Sequence, residues 1–178
     1  MAPAPMRRLI CCFLAVAGLM PAMLAAEPVP EYELKAAFVY NFAQFTEWPE
    51  DTVYDGNTVN FCVSQRSGLR LPLAAFSEKP VKGRRVAVRF LSSLDNLRNC
   101  HVLFVDSADR DQWGHIRKGL SGMSILTISD DEEIGRGGSI ITLAMERNKI
   151  VFDIDLRAAR QARLVLSSKL LRLARTAQ

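Results

Sequence analysis

Apolar and polar positions change rhythm several times along this chain, and the rhythm predicts most of its elements. Val59–Val63, Val86–Phe90, Val102–Asp106 and Ser124–Ile128 are short apolar runs that read as strands. Val102–Asp106 (VLFVD) is apolar almost throughout, as expected of a strand covered on both faces. Between these runs Leu69–Phe76, Leu94–Asn99 and Arg110–Leu120 read as helical connections, with Pro72 confined to a first turn. Strand and helix in this alternation predict right-handed crossovers. The fold class is therefore α/β, a single domain with a mostly parallel sheet flanked by helices.

The rhythm shifts again in the last third of the chain. Ser139–Met145 is an extended apolar run, Glu146–Lys149 is polar, and Ile150, Phe152 and Ile154 alternate with Val151, Asp153 and Asp155. Period two on both sides of a turn containing Asn148 predicts an antiparallel C-terminal hairpin at one sheet edge. Asp155 is placed to cap a helix over Leu156–Ala162, and Ser167 and Ser168 to start another, with a break near Arg163–Leu166.

Glu31–Trp48 has helical spacing and a Pro49 stop, with Leu34, Ala37, Phe38, Phe42 and Phe45 on one face. Asn41 falls inside that stripe, where an amide needs a partner: a neighbouring backbone, or a ligand. The other side carries Ala36, Val39, Tyr40 and Ala43, too apolar to be simply solvated. That side predicts burial on both faces or contact with a second chain, so Val39, Tyr40, Ala43 and Trp48 are the candidate partner or dimer interface.

Composition adds an address. Arg7 and Arg8 precede the apolar run Leu9–Leu19, and small residues follow to Ala26, the layout of a secretory signal peptide over 1–26. The remaining domain, 27–178, carries a net charge of +2, because two of the 23 basic residues leave with the signal and none of the 19 acids does. Nucleic-acid binding is not implied. Cys62 and Cys100 survive cleavage, and in an oxidising compartment an isolated pair most simply forms one disulfide. Two free thiols, the alternative, lack the close spacing used in metal or redox sites.

Catalytic chemistry finds little support. His101 and His115 are far apart, no Gly-x-Ser-x-Gly elbow or P-loop is present, and no cofactor or metal is expected. The acids Asp130–Glu133 lack the spacing of a calcium loop and suit a helix N-terminus. Arg136, Gly137 and Gly138 offer either a tight turn or backbone N–H groups for an anion. With Asn41 they are the ligand-binding candidates. Arg157, Arg160, Arg163, Lys169, Arg172 and Arg175 meet no acid after Asp155, and read as a solvated basic face or a docking surface for an acidic partner.

Two separated stretches carry a family resemblance. Lys35-Ala36-Ala37-Phe38, Tyr40-Asn41-Phe42, Phe45 and Trp48-Pro49 resemble the opening of the YfiR-like (HmsC-like) periplasmic proteins. Ile128-Ser129-Asp130, Gly137-Gly138-Ser139-Ile140, Phe152-Asp153-Ile154-Asp155 and Leu166–Ala174 are similar to its C-terminal half, in order. The resemblance implies a non-enzymatic periplasmic α/β domain, a homodimer. It would bind and repress the periplasmic sensory domain of an inner-membrane diguanylate cyclase (YfiN-like), lowering cyclic di-GMP and biofilm formation. A small-ligand-binding protein feeding another membrane sensor is the alternative. The resemblance also places a fold-stabilising disulfide at Cys62 and Cys100. The chain departs from the pattern at Asp155 (usually asparagine), at Ile134 (often phenylalanine), and in lacking a second C-terminal cysteine pair.

Overall fold

Phe61, Val63, Val102, Phe104, Leu126 and Ile128 join one apolar cluster, while Cys62, Leu103, Val105 and Ile125 join another. Neighbours along each strand alternate between clusters because side chains alternate across a pleated sheet. One sheet therefore separates two cores. The computed structural model describes residues 30–94 and 97–178. The expected signal peptide at 1–26 lies outside them.

In chain order the first half contains α1 (Glu31–Gln44), β1 (Thr46–Glu47), β2 (Thr58–Ser64), α2 (Arg70–Ala74), β3 (Pro80–Val81), β4 (Arg84–Leu91) and β5 (Val102–Val105). A 3-10 turn at Ser107–Gln112 leads into α3 (Trp113–Gly119), then β6 (Leu126–Ser129), α4 (Glu132–Arg136), β7 (Ile141–Glu146) and β8 (Lys149–Ile154). The chain ends with α5 (Leu156–Gln161), β9 (Val165–Leu166), α6 (Ser168–Leu173) and β10 (Thr176–Ala177).

The main sheet has the order β10-β8-β7-β6-β5-β2-β4-β3. β4, β2, β5, β6 and β7 are mutually parallel, β7 and β8 form the antiparallel hairpin, and β3 pairs antiparallel with β4. The α/β class with its C-terminal hairpin is thus as the rhythm predicts. The hairpin turn places Arg147 and Asn148 at φ of 48° and 61°, the left-handed pair a two-residue turn requires. Asp155 Oδ1 accepts from the N–H groups of Arg157 and Ala158, and Ser167 Oγ accepts from Leu170, so both anticipated helix starts are capped.

α1 ends four residues before the expected Trp48 stop. Thr46 Oγ1 donates to the Phe42 carbonyl at 2.7 Å, and Thr46 then pairs with Leu166 in a separate β1–β9 ladder. Asp51 and Arg163 close a bidentate salt bridge beside it. A tertiary ladder overrides helical spacing here.

α1 is also rotated from the predicted orientation. Its buried residues are Lys35, Ala36, Val39, Phe42 and Ala43, whereas Leu34, Ala37, Phe38 and Phe45 are only partly covered. Small side chains at Ala36 and Ala43 let the helix axis approach the sheet, and the bulkier Phe38 packs at the margin against Phe42 and Phe152. Residues 94 and 97–99 carry no helix, contrary to the expectation for Leu94–Asn99.

Candidate functional site

The rotation of α1 decides the fate of the interface candidates. Val39 and Ala43 have no exposed surface, so they belong to the core and offer a partner nothing. Tyr40 is half-buried, stacks on Phe76 at 4.9 Å, and donates its hydroxyl to the Pro80 carbonyl at 2.7 Å. Trp48 is partly exposed and belongs to a different site, described below.

The ligand candidates do not converge. Asn41 is exposed on α1, whose buried side chains belong to the cluster containing Phe61 and Phe104. Gly137 packs on Trp113 of the opposite cluster, where a Cβ would lie 2.5 Å from Trp113 Nε1. Gly138 supplies a φ of 98°, and Arg136 projects into solvent beside Glu132 at 3.4 Å. The sheet stands between Asn41 and the Arg136-Gly137-Gly138 turn, so no pocket joins them. Among the described residues no three His, Cys, Asp or Glu side chains come together as metal ligands.

Cys62 and Cys100 are joined, with Cα atoms 5.8 Å apart. The bridge ties the centre of β2 to Cys100, two residues before β5, and belongs to the second core. Both cysteines are buried.

In open α/β sheets, ligands favour the carboxyl ends of the strands, where the strand order reverses. Here that point lies between β2 and β5. The chain fills it with its own charges. Arg66 donates to Asp109 Oδ1 at 2.6 Å, Arg110 clamps Asp131, and Lys35 reaches Asp130 Oδ2 at 2.6 Å. Asp131 Oδ1 also accepts from the Glu133 and Ile134 N–H groups at the start of α4. Burial works to raise the Asp131 pKa, but Arg110 and those N–H groups outweigh it and hold it below the usual carboxylate range. Burial likewise works to lower the Lys35 pKa, and Asp130 with Glu31 overcomes it, leaving the ammonium raised. The acidic run thus serves α4 and neighbouring cations. The basic C-terminal run is partly neutralised as well, because Arg163 meets Asp51 and Arg175 meets Asp153 and Glu146.

A cleft of about 290 Å³ opens elsewhere, between the chain after α1 and the β3–β4 hairpin. Its lining includes Trp48, Tyr54, Lys82 and Arg84, with Glu47, Val59 and Val81. Tyr54 stacks on His101 at 4.7 Å and 5°, and the Arg84 guanidinium lies 3.8 Å from the Tyr54 ring centre. Trp48 meets His101 edge-on. His101 Nδ1 accepts from the Asn60 N–H at 3.0 Å, which leaves Nε2 to carry the proton toward the Val53 carbonyl at 3.1 Å. Burial pushes its pKa down and Arg84 adds to that, against the Val53 bond. His101 is a neutral, fully bonded base for the stack. The Trp48 indole N–H is buried with no protein partner among the described residues. Arg84 and Lys82, the latter 3.8 Å from Glu47, put cationic donors on the cleft wall beside aromatic carbon. The cleft leaves no mark in the sequence because its residues run from Glu47 to Arg84 across several separate strands and loops, with no shared spacing.

Comparison with known proteins places the chain. The model of the YfiR/HmsC-like family matches residues 32–175. A search of curated proteins finds no match. Among solved structures, a conserved domain protein of Vibrio cholerae O1 biovar El Tor aligns with a TM-score of 0.57 at 8% identity. The alignment covers 84% of this chain and 61% of that one. An ABC domain in complex with L-Trp, from Streptococcus pneumoniae, aligns with a TM-score of 0.52 at 6% identity, covering 83% and 60%. This chain therefore spans about three-fifths of either neighbour, and identities so low speak for a shared fold alone.

Proposed function

The chain belongs to the YfiR/HmsC-like family, and from that premise we propose that it binds and represses the periplasmic sensory domain of an inner-membrane diguanylate cyclase. At family level the role is that of a periplasmic regulator in cyclic di-GMP signalling. Repression, with lower cyclic di-GMP and less biofilm, is the finer step. The observation that carries the proposal is the family match, which runs from the second residue of α1 to the last turn before β10. Self-pairing of the carboxyl-edge charges supports a binding module over a catalyst, since a catalyst needs charged groups free for substrate. Export by a cleaved signal over 1–26 is part of the proposal. Among the described residues no helix is long and apolar enough to cross a membrane.

The direct test is capture. Immobilised mature protein, with its disulfide intact, is offered detergent-solubilised inner membrane, and retained proteins are identified by mass spectrometry. Retention of a protein with a diguanylate cyclase domain supports the reading; retention only of proteins with other output domains refutes it. Homodimerisation, which the resemblance implies, belongs to the same proposal and has to use a surface other than the buried side of α1. Sedimentation equilibrium reads it as twice the monomer mass.

The Trp48–Tyr54–Arg84 cleft favours the second reading, a protein that binds a small anionic molecule and feeds another membrane sensor. A ligand at about 100 times its Kd would add roughly 2.7 kcal/mol of stability. A thermal-shift screen of small carboxylates and phosphates reads this, and Arg84→Ala should remove any shift.

A further inference from the structure

β3 covers only the beginning of β4. Pro80 and Val81 pair with Arg85 and Arg84, and the Val86 N–H and C=O bond to Lys79 and Glu78. Those bonds show that even-numbered residues of β4 point their main-chain groups away from β2. Odd-numbered ones point toward it, as Arg85 N–H to Asn57 and Leu91 C=O to Gln65 confirm. The N–H and C=O groups of Val88 and Phe90 therefore face outward, and among the described residues nothing bonds to them. They form an open edge on a fully paired strand.

Both sides of that edge are furnished. On the α2 side the exposed Phe90 ring carries the Arg70 guanidinium, 5.8 Å from its centre. On the other side Arg89, Leu91, Asn99 and Cys100 enclose a hollow of about 170 Å³ beside the disulfide. Neither Arg70 nor Arg89 has a carboxylate partner among the described residues. We infer that this edge accepts an extended acidic segment of another protein as an added strand. Main-chain bonds to Val88 and Phe90 would hold it, Arg70 and Arg89 would meet its carboxylates on opposite faces, and a small side chain would enter the hollow. Charge selects this occupant over a second copy. Antiparallel pairing of the open part of β4 with its own copy, centred on the stretch from Val88 to Phe90, would set Arg89 against the same arginine of the second copy, which destabilises a ladder.

The test uses the exported protein, disulfide intact, and three blocked hexapeptides: two repeats of glutamate-glutamate-alanine, which put carboxylates on both faces of a strand, the same sequence with lysine for glutamate, and the acidic peptide N-methylated at alternate amides. Amide exchange at each residue is followed by NMR. The acidic peptide, at about ten times its Kd, should slow exchange at Val88 and Phe90 roughly tenfold. The other two should leave both amides unchanged. Arg89→Glu, an exposed change, should abolish the effect, and Val88→Pro should do so by deleting one outward donor. Equal binding of the N-methylated acidic peptide, or binding that leaves Val88 and Phe90 unprotected, would overturn the inference. So would protection that grows with protein concentration without peptide, which would mean that a second copy takes the edge. No result with these peptides depends on the cyclase, and failure to capture a cyclase leaves them untouched.

Discussion

Lys35 Nζ lies 2.6 Å from Asp130 Oδ2, with about a tenth of either side chain exposed, and so fastens α1 to the end of β6. The two residues are 95 positions apart. Glu31, one turn earlier on α1, provides a second carboxylate at 2.5 Å. Covered charges need such partners, and removing one partner costs more than removing both.

A double-mutant cycle follows from this contact. Asp130→Asn should cost about 2–3 kcal/mol by leaving Lys35 with the half-exposed Glu31 alone. Lys35→Met combined with Asp130→Asn should recover at least half of that. Urea unfolding monitored by tryptophan fluorescence measures both; equal, additive losses would show that the pair is not coupled.

Gly137 touches Trp113 where no side chain fits. A methyl group would lie 2.5 Å from Trp113 Nε1, 2.7 Å from Cδ1 and 3.1 Å from the Glu133 carbonyl. Gly137→Ala should lose about 1–3 kcal/mol through overpacking. Gly114→Ala, in α3 with open space around it, should instead gain up to about 1 kcal/mol from helix propensity. The opposite signs can be read from two urea midpoints.

Stability should fall with pH on account of His101. Its folded pKa lies below the ordinary 6.5 because of burial and the nearby Arg84. Tyr54, Trp48, the Val53 carbonyl and the Asn60 N–H are its other close neighbours. Above pH 6.5 the ring is neutral folded or unfolded. Below it the unfolded chain takes up the proton first, so stability drops until the pH passes the folded pKa, and then levels. Urea midpoints from pH 7.5 to 5 should therefore slope more steeply in the wild type than in His101→Asn. Parallel slopes would contradict the account.

The disulfide closes a loop of 38 residues. Cys62→Ala with Cys100→Ala should lower stability by about 3–4 kcal/mol in the chain-entropy picture. The same loss should follow reduction of the wild type, measured under anaerobic conditions.

Much of the architecture was legible because buried strands and capped helices leave local marks. VLFVD, the hairpin alternation, Asp155 and Ser167 each read correctly from neighbours alone. The rotation of α1 was not legible, since aromatic and small apolar residues populate both sides and only the sheet decides which side it accepts. Nor were β1–β9, β3 and β10, whose two-residue ladders are too short to set a period. The site residues fared worse for the same reason. Asn41 and Arg136 were grouped by chemistry, which says nothing about the sheet between them, and Trp48, Tyr54 and Arg84 come together only through tertiary packing.

The most direct measurement for the central claim is cellular cyclic di-GMP in a strain lacking this protein, with and without the exported chain restored. Repression of a cyclase predicts a rise on deletion that complementation reverses. Unchanged levels across several growth conditions, with the protein shown to be present in the complemented strain, would contradict it.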